Sequence, residues 1–364
     1  MSKHTLQILA VVLGMMVCLS GRTVMAFPNF AVGPATCLPS LPHFPTIQAA
    51  VSGVPPGATV MVCPGSYPEQ VVISQPLTLE GVISHGQGAA VITLPPNGLL
   101  PNATTTFYGA SAVQLLVENT NAVTINNIIV DGSGGGCVNG ANVVIGIELF
   151  QVGIPSDITS AGKVMNSVVR NENNSCGQGI WTETSFVTIQ GNDVHNVGSY
   201  GLYNALAPNN IISNFVSNAY VGLWLDGAVG TTISGNTMSN LSGWGMEIHH
   251  SGPPVTISKN SLLFTGFLGI DLYYAPSTIT QNSTLGDPYG VELFNSPGSS
   301  IKSNAFTNLS YGAGVWIDDN GTAGGNTVAK NTINEAPCGI NATYAIGDML
   351  TPNTFFNVTS PICP

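Results

Sequence analysis

Three carboxylates, Glu247, Asp271 and Glu292, hold the same place in successive copies of a short pattern, Gly-apolar-x-apolar-x. Copies begin at Gly146, Gly179, Gly201, Gly222, Gly245, Gly269, Gly290, Gly314 and Gly339; in the last, Ala342 weakens the second apolar place. Such alternation reads as a short β-strand whose apolar residues face a core and whose x residues face solvent. From Gly179 onward, the first x position runs Trp181, Tyr203, Trp224, Glu247, Asp271, Glu292, Trp316, Asn341. The second runs Glu183, Ala205, Asp226, His249, Tyr273, Phe294, Asp318, Thr343. If the copies stack as neighbouring strands, equivalent side chains lie about 4.8 Å apart. Acids that close raise one another's pKa or recruit a cation such as calcium.

Aromatic side chains flank the acids on both sides, and their faces match the apolar faces of sugar rings. The expected ligand is therefore a polysaccharide, with Trp181, Tyr203, Trp224, Asp226, Trp316 and Asp318 as contacts and Glu247, Asp271 and Glu292 at the centre. Adjacent carboxylates near ~5 Å suit a retaining glycosidase, and Glu247 with Glu292, at about 9.6 Å, reach the inverting range. His249 and Tyr273 could instead act as base and acid in a lyase. Hydrolase and lyase chemistry both stay open, as does a non-catalytic surface or periplasmic protein whose acids and rings only tile a solvated face.

The elements that would position these residues follow from a second pattern, I-x-x-N. It appears as Ile189 to Asn192, Ile211 to Asn214, Ile233 to Asn236, Ile257 to Asn260, Ile279 to Asn282, Ile301 to Asn304 and Val328 to Asn331. Asn166 and Asn353 extend the series, with steps of 26, 22, 22, 24, 22, 22, 27 and 22 residues. Repeats of this length with several short strands predict a solenoid whose coils stack in parallel. The recurring Asn is expected to point inward at a turn, as a ladder of side-chain amides. The fold class is all-β, a single-stranded right-handed parallel β-helix with a short N-terminal capping helix.

Residues 1–26 read as a secretory leader: Lys3, an apolar run from Leu6 to Leu19, then Val24-Met25-Ala26. No later stretch is apolar enough to span a membrane. Loss of Lys3 and Arg22 with the leader takes the formal charge from −11 to −13, which argues against nucleic acid as a partner. The same scarcity of bases favours a neutral glycan over a polyuronate, unless calcium mediates binding of the latter. Six cysteines remain after cleavage, and an even number in an exported chain favours disulfides. Coil register pairs Cys37 with Cys63, Cys137 with Cys176 and Cys338 with Cys363. There is no C-x-x-C pair, and His249 and His250 point to opposite faces of a strand, so no dedicated metal site is expected.

Thr46 to Val51 reads as a helix covering the open end of the stack, followed by a first coil. Residues 95–112 and 150–162 read as loops extruded from coils, either of which could overhang a groove. The expected organisation is a leader (1–26) and one solenoid domain (27–364), with cap and first coil at 46–81 and regular coils at 113–360. The segment TIQAAVSGVPPGATVMVCPGSYPEQVVISQPLTLEG (46–81) resembles the opening coil of pectinesterase-like and periplasmic copper-binding-type members of the pectin-lyase-like superfamily. The later repeats resemble the generic parallel β-helix repeat. Gly65, Tyr67 and Glu69 match the G-x-Y-x-E element of pectin methylesterases, but their later aspartate and arginine motifs are missing. Of the polygalacturonase motifs only Asp318-Asp319 has an echo, and the one arginine after the leader, Arg170, is expected at a turn. The resemblance thus implies the fold and carries over no catalytic residue.

Overall fold

The computed structural model describes residues 28–364 apart from 84–87, 154–160, 251, 253, 320–323, 346 and 351. The leader and most of the 150–162 loop lie outside the described residues.

Each regular coil contributes three short strands. One coil comprises Val187–Gln190, Asp193–His195 and Tyr200–Ala205. The next comprises Asn210–Ile212, Phe215–Ser217 and Val221–Asp226, and all three pairs are parallel. The first strands form a 13-stranded sheet, and the second and third strands run as two ladders through a 23-stranded sheet. Apolar residues spaced by one coil stack inside. Ile189, Ile211, Ile233, Ile257, Ile279 and Ile301 are fully buried, as are Leu202, Leu223, Met246, Ile270, Val291 and Val315 beneath the third face.

The turn between first and second strands carries the amide ladder. Asn260 Nδ2 donates to Asn282 Oδ1 (2.9 Å) and to Ile233 O (3.1 Å), while its Oδ1 accepts from Asn236 N and Nδ2, both 2.9 Å. The same bonds link Asn192 to Asn353 coil by coil, satisfying turn amides that stacking has removed from water. The series starts differently from the sequence reading. Val164 pairs with Ile189, so Ser167, not Asn166, stands in the ladder, and its N–H donates to Asn192 Oδ1. Asn166 (φ 47°) sits where the next coil has Gly191 (φ 65°), a left-handed position that Gly and Asn both tolerate.

The third-face glycines serve close packing. A Cβ on Gly245 would meet the carbonyl oxygen of Gly269 at 2.4 Å, and one on Gly290 would meet that of Gly314 at 2.4 Å. At the N-terminal end, the helix Ile47–Gly53 is capped by Thr46, whose side chain accepts from Ala49 N. Glu69 accepts from Ile47 N (2.8 Å) and Gln48 N (2.9 Å), and Tyr67 donates to Cys63 O (2.7 Å). The G-x-Y-x-E element therefore anchors the cap to the first coil. All three disulfides pair as register dictated. Arg170 closes the second-face strand Val168–Arg170, not a turn, and binds Asp131 at 2.9 Å, well away from the third face.

Candidate functional site

The third face brings the sequence-predicted residues into register. Trp181, Tyr203, Trp224, Glu247, Asp271, Glu292 and Trp316 pair in succession, and Asp226, His249, Tyr273, Phe294 and Asp318 form the second row. Glu247 is buried, with His249 Nε2 at 3.7 Å from its Oε1. Burial, reinforced by Glu247 and opposed by His249, raises Asp271 to about 6. Burial, with Asp271 and Asp318 adding repulsion, raises Glu292 to about 7. The ladder therefore holds both protonated and ionised carboxyls near neutral pH, which is what acid–base chemistry requires.

One donor atom each from Glu247, His249 and Asp271 lie within 4.8 Å of one another. His249 Nε2 is buried without a hydrogen-bond partner. This set of an imidazole and two carboxylates suits a first-row transition ion better than calcium, whose ligands are all oxygen. The imidazole of His249 thus stands inside the acid cluster on which the sequence reading allowed calcium.

The aromatic rings are arranged differently from the expected open platform. Trp224, His249, Tyr273 and Phe294 stack on one another, with centroids 4.4, 5.1 and 4.8 Å apart and interplanar angles of 23°, 27° and 4°. Stacked rings cover each other's faces, so this row offers mainly edges to a ligand. A second row on the opposite flank, which the repeat pattern does not reveal, runs Tyr220, Trp244, Phe267, Tyr289 and Trp316. Its contacts at 81°, 68° and 56° are edge-on or tilted, Tyr289 and Trp316 stack at 28°, and Tyr220 and Phe267 are exposed. The carboxylates lie between these rows.

Trp181 and Tyr203 are a correction. Their side chains point outward in register, yet they are 0% and 2% exposed. A hairpin, Ala103–Thr105 against Gly109–Ser111, folds over them. Tyr108 meets Trp181 edge-on at 5.6 Å and Tyr203 at 6.4 Å, and its hydroxyl bonds that of Tyr200 at 3.0 Å. Glu183, also buried, accepts from Thr106 N at 2.9 Å and from Trp181 Nε1 at 3.3 Å, pinning the hairpin down. Neither ring is open to a ligand here.

Sequence reading began the ladder one coil late. Glu148 pairs with Trp181 and is fully buried, and neither carboxyl oxygen has a hydrogen-bond partner. Burial, with Glu183 and Glu118 nearby, lifts it to about 8. The copy at Gly146 was the signal that could have located it. Asp319 is buried and accepts from Asn326 Nδ2 at 2.8 Å, so the Asp318-Asp319 pair splits between groove and turn.

A family model described as the right-handed β-helix region matches residues 116–285 and 178–356, well over half of the chain. The chain belongs to that family, and its fold is the right-handed parallel β-helix. Among solved structures it is similar to the catalytic domain of a GH87 α-1,3-glucanase in complex with nigerose. That match has 13% identity and a TM-score of 0.66, covering 92% of this chain and 66% of that one. It is also similar to a GH136 lacto-N-biosidase from Eubacterium ramulus, with 11% identity, TM-score 0.55 and coverages of 92% and 68%. A double mutant of the periplasmic alginate epimerase AlgG matches with 14% identity, TM-score 0.52 and coverages of 87% and 83%. At these identities the likeness is one of fold. The chain spans about two thirds of the length of the first two. No curated protein matches it. Among the described residues no helix is long and apolar enough to cross a membrane.

Proposed function

We propose that the third face binds a neutral extracellular glycan and hydrolyses it at Glu247 and Asp271, in a protein exported from the cell. The carrying observation is the ladder of three acids between two aromatic rows, Glu247 buried and Asp271 and Glu292 half-buried, with Asp271 raised to about 6. Protonated Asp271 donates to the glycosidic oxygen as the bond to the anomeric carbon breaks. Glu247 forms the new bond to that carbon, giving a glycosyl ester. Water then displaces Glu247 as the Asp271 carboxylate takes its proton, which returns both groups to their starting state. Donor atoms of the two acids within 4.8 Å match the short separation of retaining enzymes. His249 stands beside Glu247, its Nε2 3.7 Å from the Glu247 Oε1. Glu292, about one coil step on, is placed to hold a sugar hydroxyl.

Three supports come from outside the ladder. Five bases after the leader suit a neutral chain, and three disulfides suit an oxidising compartment such as the periplasm or the cell surface. The named activities of the fold relatives, a glucanase, a biosidase and an alginate epimerase, are all directed at glycans.

The test is a screen of soluble neutral polysaccharides (dextran, laminarin, galactomannan, arabinoxylan) for new reducing ends, with product anomers followed by NMR. Hydrolysis with retained configuration, lost in Asp271→Asn and Glu247→Gln, supports the reading. Binding without turnover would leave a non-catalytic glycan-binding protein. Neither binding nor turnover on any glycan removes the sugar assignment.

A further inference from the structure

The groove is closed at one end. On the C-terminal side of Glu292 the floor continues through Trp316 and Asn341, both partly open to solvent. On the other side it stops. Trp224, one coil before Glu247, is partly exposed, whereas Tyr203, one coil earlier still, is 2% exposed beneath the 103–111 hairpin. Phe107, 6.4 Å from Tyr203 and 44% exposed, stands at the hairpin tip as the end wall.

The closure is fixed by more than packing. Thr106 N donates to both oxygens of Glu183, at 2.9 and 3.2 Å, and Asn142 Nδ2 donates to Tyr108 O. The Tyr108 hydroxyl meets Tyr200, which itself packs on Trp224 at 5.2 Å. Residues far apart in the chain thus hold the wall against the first open ring of the groove.

Resting on the glycan-hydrolase reading, we infer that this protein works at a chain terminus and releases a short product of fixed size. Coils rise about 4.8 Å and a sugar unit advances by roughly the same amount, so the space between Glu247 and the wall takes about one to two sugars. The remainder of the substrate runs out past Trp316, where no comparable wall stands among the described residues. A chain interior cannot lie across the carboxylates without passing through the hairpin. The structural class of substrate is therefore a free glycan end, and the hairpin residues Phe107 and Tyr108 set product length.

The experiment compares viscosity and reducing ends on whichever of dextran, laminarin, galactomannan or arabinoxylan the protein degrades, with products sized by chromatography. The wild type should accumulate one mono- or disaccharide while viscosity falls slowly. Phe107→Ala with Tyr108→Ala should add longer products, and Glu183→Gln should do so more weakly by loosening the hairpin. Acrylamide quenching of Trp181 confirms opening in each folded variant. Early release of mixed oligosaccharides with a steep viscosity drop by the wild type would overturn the blind end and leave the hydrolase reading intact. An unchanged product size in a variant whose Trp181 has become quenchable would also overturn it. Failure to degrade or bind any of the four polymers would remove the hydrolase reading itself, and this inference with it.

Discussion

Replacing Asp271 with asparagine should cost activity and add stability, and both effects can be sized. Its carboxyl lies at about 6 in the folded chain against an ordinary 3.8, because of burial and then Glu247. A rise of that size corresponds to at most about 3 kcal/mol, and less in practice because solvent reaches part of the group. The folded state keeps the proton where the unfolded state has lost it. Stability therefore falls as pH rises from about 4 to about 6 and is level above that. Asp271→Asn lacks this loss, so relative to wild type it should gain about 1–3 kcal/mol on going from pH 4 to pH 7 in urea unfolding. As the proton donor, Asp271 is about 3% protonated at pH 7.5, so wild-type kcat/KM should drop about tenfold per pH unit above 6. The variant should fall roughly 10²- to 10⁴-fold below wild type at pH 5 and lose that limb. Wild-type activity that climbs between pH 6 and 8, or a variant with undiminished turnover, would refute Asp271 as the donor.

Three further outcomes follow from the geometry. Asn260→Ala strips partners from Asn236 N, Asn282 Oδ1 and Ile233 O, and should lower unfolding free energy by about 3 kcal/mol in a urea titration. Gly245→Ala forces a Cβ against Gly269 O and Leu262 Cδ2, both at 2.4 Å, and should lower the thermal midpoint by several degrees in calorimetry. Zinc ions should inhibit hydrolysis by binding Glu247, His249 and Asp271, with chelator restoring activity and His249→Ala weakening inhibition about tenfold or more.

The sequence by itself determined the solenoid, because the repeats are local and each repeat faces its copy about two dozen residues on. One buried Ile, one inward Asn and one Gly with no room for a Cβ per coil fix the register, and register alone lines up Glu247, Asp271 and Glu292. Disulfide pairing followed from the same counting. Tertiary structure decided which outward residues meet solvent. The hairpin that buries Trp181 and Tyr203 is held by Glu183 and Thr106, 77 residues apart, a contact no repeat period encodes. The same holds for the rings: coil spacing places them in rows, but only packing sets whether faces stack against each other or meet edge-on. Asn166 shows the limit at single-residue scale, since one amide type serves both the left-handed turn and the ladder, and only strand pairing tells them apart.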